Sequence, residues 1–182
     1  MATELFLKNT DVQLALYLRN AKRLSSLASN KRVRLVEGDV LDAKALEAAM
    51  VGQDVLYANL AGRLEEQARL IVQTMDKLGV KRLIFISSMG IYDEVPGQSY
   101  HSALDPYLGA AKVIEASDLD YTILRPAWLN NNDEIDYGTT KKSQPFKNGD
   151  EVVSRKSVAD LVVRLATTPG FEVRQSLGVH KE

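Results

Sequence analysis

Few residues in the sequence have the chemistry for covalent or metal catalysis. There is no cysteine, which excludes a thiol nucleophile, a disulfide and a zinc–thiolate or iron–sulfur site. The two histidines, His101 and His180, are 79 positions apart and leave little material for a histidine-based metal site. We therefore predict no bound metal and expect any acid–base chemistry to come from other side chains.

A tyrosine and a lysine can move a proton together when a Y-x-x-x-K spacing places them on one face of a helix. The only such spacing is Tyr137 to Lys141, and it lies in a long polar stretch, so we interpret it as chance. Tyr107 and Lys112 are one residue too far apart, which rotates the lysine by about 100° around a helix. The sequence therefore predicts no tyrosine–lysine pair.

Length and charge restrict the class of protein that can hold these residues. The chain has 182 residues, of which 45% are apolar and 26% charged, which is typical of one globular domain spanning 1–182. A net charge of -1 argues against a strongly basic nucleic-acid binder or a polybasic membrane protein. No apolar run has the ~18–20 residues of a membrane span. We expect a cytoplasmic protein that binds neither nucleic acid nor membrane.

Apolar runs that end in polar residues alternate with helical patterns along the chain. Such runs are typical of strands that are covered on both faces. Strands that alternate with helices predict a doubly wound parallel α/β sheet. The predicted strands cover Val12–Leu18, Val33–Val36, Asp54–Asn59, Arg82–Ser87 and Tyr121–Arg125, and a last short strand follows the final helix.

Four stretches carry helix signals. Asp42 is placed to cap one helix that Gly52 closes, and a second covers about residues 64 to 78 before Gly79. A third covers about residues 106 to 117, and a fourth runs from about residue 157 to 167 with Ser157 as its predicted cap. Two long polar stretches, 90–105 and 128–150, follow strand ends, where open α/β sheets bind ligands. Trp128 either stacks on a ligand ring or packs the lid, and we expect core packing.

Five segments taken together resemble a known family. They are Leu16–Arg19, Gly38–Val40, Tyr57–Gly62, Ile86–Tyr92 and Tyr121–Ala127, and they occur in order with βα spacing. The chain resembles the NAD(P)H-binding, NmrA-like branch of the atypical short-chain dehydrogenase/reductases. The resemblance implies a Rossmann-like fold and a nicotinamide cofactor.

One part of the family pattern is missing. The family opens with a strand and a glycine-rich turn, whereas the eleven glycines here never come closer than seven residues. Residues 2–9 resemble the last turns of the family's first helix, so about 20 residues of a βαβ unit are missing in front of them. Either the start was assigned late, or the chain is naturally short and fills the gap in another way. In both cases we expect these 182 residues to bind dinucleotide poorly.

The resemblance implies cofactor contacts after the first two strands of this chain. Arg19 and Asn20 follow the first strand, where an arginine favours the 2′-phosphate of NADP. The alternative for Arg19 is a solvated basic start to a helix. Asp39 would accept from the adenine amino group, with Val40 in apolar contact, although Asp39 could also cap the next helix.

Further contacts are implied along the next three strands. The segment from Asn59 to Ala61 either passes under the cofactor ribose or is a plain strand–helix loop. The turn formed by Pro126 and Ala127 borders the nicotinamide. The residues in question are Asn59, Leu60, Ala61, Ser87, Pro126 and Ala127.

The resemblance also assigns candidate catalytic residues. Ser88 stands where related members place a serine that hydrogen-bonds the substrate oxygen, and Tyr107 stands where they place the lysine. We name Ser88 and Tyr107 as the catalytic candidates, with Tyr107 acting without a lysine. His101 either lines the substrate pocket or is a solvated loop residue.

Three functions remain open at this stage. The first is an NADP(H)-dependent oxidoreductase acting on a small molecule, with NAD the less favoured cofactor. The second is a non-catalytic NADP(H) sensor that signals to a protein partner. The third is an interaction module without cofactor, and a homo-oligomer is compatible with all three.

Overall fold

Nine strands form three sheets in the computed structural model, which describes residues 1–182. A five-stranded sheet has the order β3-β4-β5-β9-β7, and β1-β2 and β6-β8 form two-stranded sheets. Every pairing is parallel except β7 with β9. The predicted doubly wound, mostly parallel α/β architecture is confirmed. The strands are β1 Leu14–Leu18, β2 Val33–Glu37, β3 Val55–Ala58, β4 Arg82–Ile86, β5 Asp120–Pro126, β6 Trp128–Asn130, β7 Gly138–Lys141, β8 Val152–Ser154 and β9 Gln175–His180.

Five α-helices surround these strands: α1 Ala2–Asn9, α2 Ala43–Met50, α3 Leu64–Leu78, α4 Asp105–Glu115 and α5 Arg155–Thr167. Local signals set several of their ends. The Asp42 carboxylate accepts from two backbone N–H groups of α2, and Gly79 ends α3 at a φ of 71°. The helical prediction for residues 2–9 is confirmed by α1.

Three local expectations were wrong. The alternation of strands and helices predicts an α-helix between β1 and β2, but this segment is a 3₁₀ helix, Ala21–Leu27. None of its side chains is buried, so little tertiary packing stabilises an α-helix there. The cap of α5 is Ser154, whose Oγ accepts from the Ser157 N–H at 2.8 Å, since the helix already begins at Arg155. The stretch 128–150 is not wholly irregular, because it contains β6 and β7.

Two apolar clusters cover the two faces of the sheet. One packs around α1 and α5 and the other around α2, α3 and α4. Successive residues of β4 alternate between them, with Ile84 in the first and Leu83 and Phe85 in the second. Both faces of the central strands are therefore dry, which explains their nearly continuous apolar sequences.

Strands β1 and β3 lie in one layer without pairing. Leu14 of β1 and Val55 of β3 pack against the first cluster, and Tyr17 and Leu56 pack against the second. Yet β1 pairs only with β2, and β3 only with β4. Each of the two strands therefore has one edge with free backbone groups.

Candidate functional site

A cavity of about 630 Å³ lies where β3, β4 and β5 end. Its volume is in the range of sites that bind small molecules. Most of the predicted residues from these strands and from α4 line it. They are Asn59, Leu60, Ser87, Ser88, Tyr107, Pro126 and Ala127. The structure thus brings together the candidate catalytic pair and the residues expected beside the nicotinamide.

The two serines after β4 differ in their surroundings. The Ser87 N–H donates to Leu124 at 2.7 Å, which extends β4 by one residue. Ser87 is 6% exposed, and its Oγ has no hydrogen-bond partner. The half-buried Ser88 donates through Oγ to the Met89 carbonyl at 3.2 Å. A buried hydroxyl without a partner is unfavourable, so Ser87 is the group here that a ligand would satisfy.

A buried ion pair holds the loop that follows these serines. The Glu94 carboxylate accepts from the N–H groups of Gly90 at 3.1 Å and Tyr92 at 2.9 Å, and it pairs with Arg125. Arg125 is fully buried and also donates to Ser176 Oγ at 3.1 Å. Sequence analysis missed Glu94 because its partner lies 31 residues away. Two acidic residues, Asp93 and Glu94, stand between Tyr92 and Val95, and their spacing does not show which of them is buried.

The structure separates Tyr107 from Lys112. Tyr107 is in the first turns of α4 and lines the cavity, whereas Lys112 lies in a shallow depression between α3 and α4. Tyr137, of the chance spacing, donates to Asp160 at 2.9 Å on the other face of the sheet, and burial raises the pKa of its hydroxyl. No lysine lines the cavity, so Tyr107 has no lysine partner there.

Two further side chains near the cavity, His101 and Tyr92, have hydrogen-bond partners within the protein. His101 lines the cavity, and its Nδ1 accepts from the Ala103 N–H at 3.1 Å, which leaves the ring proton on Nε2. Tyr92, four residues after Ser88, donates to Glu115 at 2.8 Å, and burial raises the pKa of its hydroxyl. His101 therefore belongs to the cavity and Tyr92 to its support.

The opposite wall contains Trp128 and Arg155. Trp128 is 63% exposed, so the expectation that it packs in the core was wrong. It lies in β6, whose only partner is the short strand β8, and no helix covers it. Arg155 follows β8, donates to Asn131 Oδ1 at 2.9 Å and forms no ion pair. Sequence analysis assigned Arg155 no role.

Four predicted cofactor residues lie outside the cavity. Arg19 and Asn20 are exposed after β1, and Asp39 and Val40 are half-buried after β2. The parallel register of Leu18 with Glu37 puts all four at one edge of the sheet. Ala61 is exposed and likewise does not line the cavity.

Local contacts shape the end of β2. The Tyr17 hydroxyl donates to the Asp39 carbonyl at 2.6 Å, and burial together with Asp42 and Asp39 raises the pKa of Tyr17. A Cβ on Gly38 would collide with the Tyr17 ring and hydroxyl, so a larger residue there requires Tyr17 to move. Asp39 accepts from the Leu41 N–H through Oδ1, which leaves Oδ2 for another donor.

The residues present fit the two ends of a dinucleotide better than its middle. Arg19 and Asp39 offer a cation and a carboxylate for the adenosine half, and the cavity offers room for the reactive half. The described residues contain no glycine-rich turn for the pyrophosphate. No group of three or more His, Asp or Glu side chains could hold a metal, and no helix has the length and hydropathy to cross a membrane.

Comparisons with known proteins agree with this geometry. The profile of the NAD(P)H-binding family matches residues 1–169. A Rossmann-fold NAD(P)-binding family protein from Shigella flexneri is 38% identical, with a TM-score of 0.84 over 99% of this chain and 85% of its own. A short-chain dehydrogenase/reductase from Veillonella parvula, solved with NADP, is 26% identical, with a TM-score of 0.88 over 99% and 88%.

A curated relative points to the same group. The uncharacterized sugar epimerase YhfK of Bacillus subtilis is 35% identical over 89 residues. That match spans 47% of this chain and 38% of the relative, well under two thirds of its length. By the profile match over most of its length, the chain belongs to the NAD(P)H-binding family of Rossmann-fold proteins.

Proposed function

We propose that the protein is an NADP(H)-dependent oxidoreductase of the NmrA-like class that acts on a small molecule in the cavity. The observation that carries the proposal is the meeting of Ser88 and Tyr107 in one cavity beside Pro126 and Ala127. These residues come from three separate elements, and together they offer hydroxyl groups for a substrate oxygen next to the expected nicotinamide position.

Each residue has a defined task in this proposal. A bound nicotinamide supplies or accepts the hydride. Ser88 donates a hydrogen bond to the substrate oxygen and orients it, and the unpartnered Ser87 hydroxyl offers a second donor. Tyr107 supplies the proton to that oxygen. Because no lysine lines the cavity to assist Tyr107, we expect slow turnover.

Arg19 supports NADP(H) over NAD(H). Its guanidinium forms no ion pair and is exposed directly after β1, where a 2′-phosphate is bound in related folds. A guanidinium offers such a phosphate both charge and paired N–H donors. The complex of the Veillonella parvula relative with NADP supports the same preference.

The proposal is tested in two steps. Calorimetry with NADPH and NADH measures cofactor binding by the 182-residue chain. We expect tighter binding of NADPH than of NADH. Oxidation of NADPH is then followed with carbonyl, quinone and flavin acceptors. NADPH binding without turnover on any acceptor would overturn the oxidoreductase proposal.

A second candidate is a non-catalytic NADP(H) sensor. It is favoured by the position of Lys112, which lies between α3 and α4 and leaves Tyr107 without the usual lysine. A sensor requires unequal affinity for NADP⁺ and NADPH, because a ligand shifts an equilibrium only by its differential affinity for the two states. Equal affinities for the two redox forms would exclude this candidate.

A further inference from the structure

One wall of the cavity exposes apolar surface that the fold does not use. Trp128 is 63% exposed and Leu129 is 41% exposed, and both line the cavity. Burial of an indole or leucine side chain is favourable, so an exposed pair of them marks a surface that a ligand can cover. Trp128 therefore presents a flat aromatic face that a planar ligand can cover.

The same wall carries the cavity's only lysine or arginine. Arg155 lines the cavity two positions beyond the β8 residue paired with Leu129. Its only side-chain hydrogen bond goes to Asn131, and no carboxylate of the protein neutralises it. A guanidinium with free N–H groups binds carboxylates in a planar, paired geometry.

The other polar groups of the cavity do not neutralise Arg155. Asp93 is the one acidic residue in the lining, and it is exposed on the loop after β4 and forms no ion pair with Arg155. His101 also lines the cavity, but its Nδ1 already accepts a hydrogen bond from the Ala103 N–H. The deepest polar group is the Ser87 hydroxyl, which has no partner.

We propose that the substrate of this cavity is a planar aromatic molecule bearing a carboxylate, with the ring against Trp128 and the carboxylate on Arg155. This inference rests on the proposed function in that the same cavity serves both. In this proposal the carboxylate pairs with the exposed Arg155, and the reacting oxygen lies at the buried Ser87 and its neighbour Ser88. Arg155 is thus a specificity-determining residue.

Matched probes test the inference without cofactor. Binding of 4-nitrobenzoate and the uncharged 4-nitrobenzamide to the 182-residue chain is measured by calorimetry. Quenching of Trp128, the single tryptophan, reports on the site directly. We expect Arg155→Gln to weaken 4-nitrobenzoate binding about tenfold, as for one charge-assisted hydrogen bond, and to change 4-nitrobenzamide binding less than about twofold.

Two control variants separate contact from general charge and packing. Lys156→Gln removes a charge one residue away whose partner is Asp133 at 2.6 Å, and it should leave both affinities unchanged. Trp128→Ala should weaken both probes about three- to tenfold in calorimetry.

Equal binding of the two probes to the unsubstituted protein would overturn the inference, as would equal losses in the Arg155 and Lys156 variants. Failure to bind NADPH would overturn the proposed function alone, because the probes are measured in its absence.

Discussion

At the scale of single residues, hydrogen bonds distinguish a buried side chain that stabilises the fold from one that is available to a ligand. Ser87 and Ser157 are both buried serines. Ser157 Oγ accepts from the Asp136 N–H at 3.0 Å and lies 2.9 Å from Ser154 Oγ, whereas Ser87 Oγ has no partner. The first hydroxyl contributes to folding, and the second does not.

Replacing these serines should therefore have opposite effects. Ser87→Ala should leave the free energy of unfolding unchanged or raise it by up to ~1 kcal/mol, because an unsatisfied hydroxyl is removed. Ser157→Ala should lower it by about 1–3 kcal/mol. Urea denaturation measures both. In contrast, Ser87→Ala should reduce NADPH oxidation or probe binding. A clear loss of stability in Ser87→Ala would show that its hydroxyl has a structural partner.

Arg19 is the residue on which cofactor preference depends in our proposal. Arg19→Gln should weaken NADPH binding about tenfold and leave NADH binding unchanged, because only NADPH carries the 2′-phosphate. Calorimetry on the 182-residue chain is the measurement. Lys31→Gln, which removes the same charge before β2 at the opposite end of the strand pair, is the control. An equal loss for NADH would contradict the assignment.

At the scale of elements, the loop after β4 is held in place by one buried ion pair. Glu94 joins the loop backbone to Arg125 of β5, and Arg125 in turn reaches the carbonyls of Thr140 and Ser176. The position of Ser88 and its neighbours relative to β5 therefore depends on a side chain that does not line the cavity.

Removing this carboxylate should be costly. Glu94→Ala should lower the free energy of unfolding by about 3–5 kcal/mol, because Arg125 stays buried without a counter-charge and two N–H groups lose their acceptor. Glu94→Gln should cost less, since one amide oxygen remains. Denaturant titration measures the effect. The exposed pair Arg63–Glu66 is the control, and Glu66→Ala should change stability by less than about 1 kcal/mol. Equal small effects would refute this role for Glu94.

At the scale of the whole molecule, the strands fall into two groups with different protection. Strands β4 and β5 are paired on both edges and largely buried, whereas β1 and β3 are paired on one edge only. All five residues of β1 remain half-exposed. The layer that contains β1 and β3 is thus continuous in its packing but not in its hydrogen bonds.

Hydrogen exchange should reveal this division. Amides of β1 and β3 should exchange well before those of β4 and β5, because N–H groups on an unpaired edge meet water without any opening of the core. Mass spectrometry of peptides from the four strands measures the difference, and β5 serves as the protected reference. Uniform slow exchange across β1, β3 and β5 would show that the free edges are covered in solution.

The amino-acid sequence by itself determined the features that depend on near neighbours. Apolar runs predicted β1 to β5, and the Asp42 cap and Gly79 marked ends of α2 and α3, since caps and periodicity act within a few residues. The same local logic failed at Ala21–Leu27, where no side chain is buried. Seven of the predicted residues line one cavity, six of them because parallel strands end at the same edge, and their roles remain predictions.

Only the tertiary structure decided which side chains are satisfied and which are free. The pairing of Glu94 with Arg125, the missing partner of Ser87 and the exposure of Trp128 beside Arg155 all depend on groups brought together from distant parts of the chain. Burial and hydrogen bonding are properties of this three-dimensional neighbourhood, and residue type and spacing do not contain them.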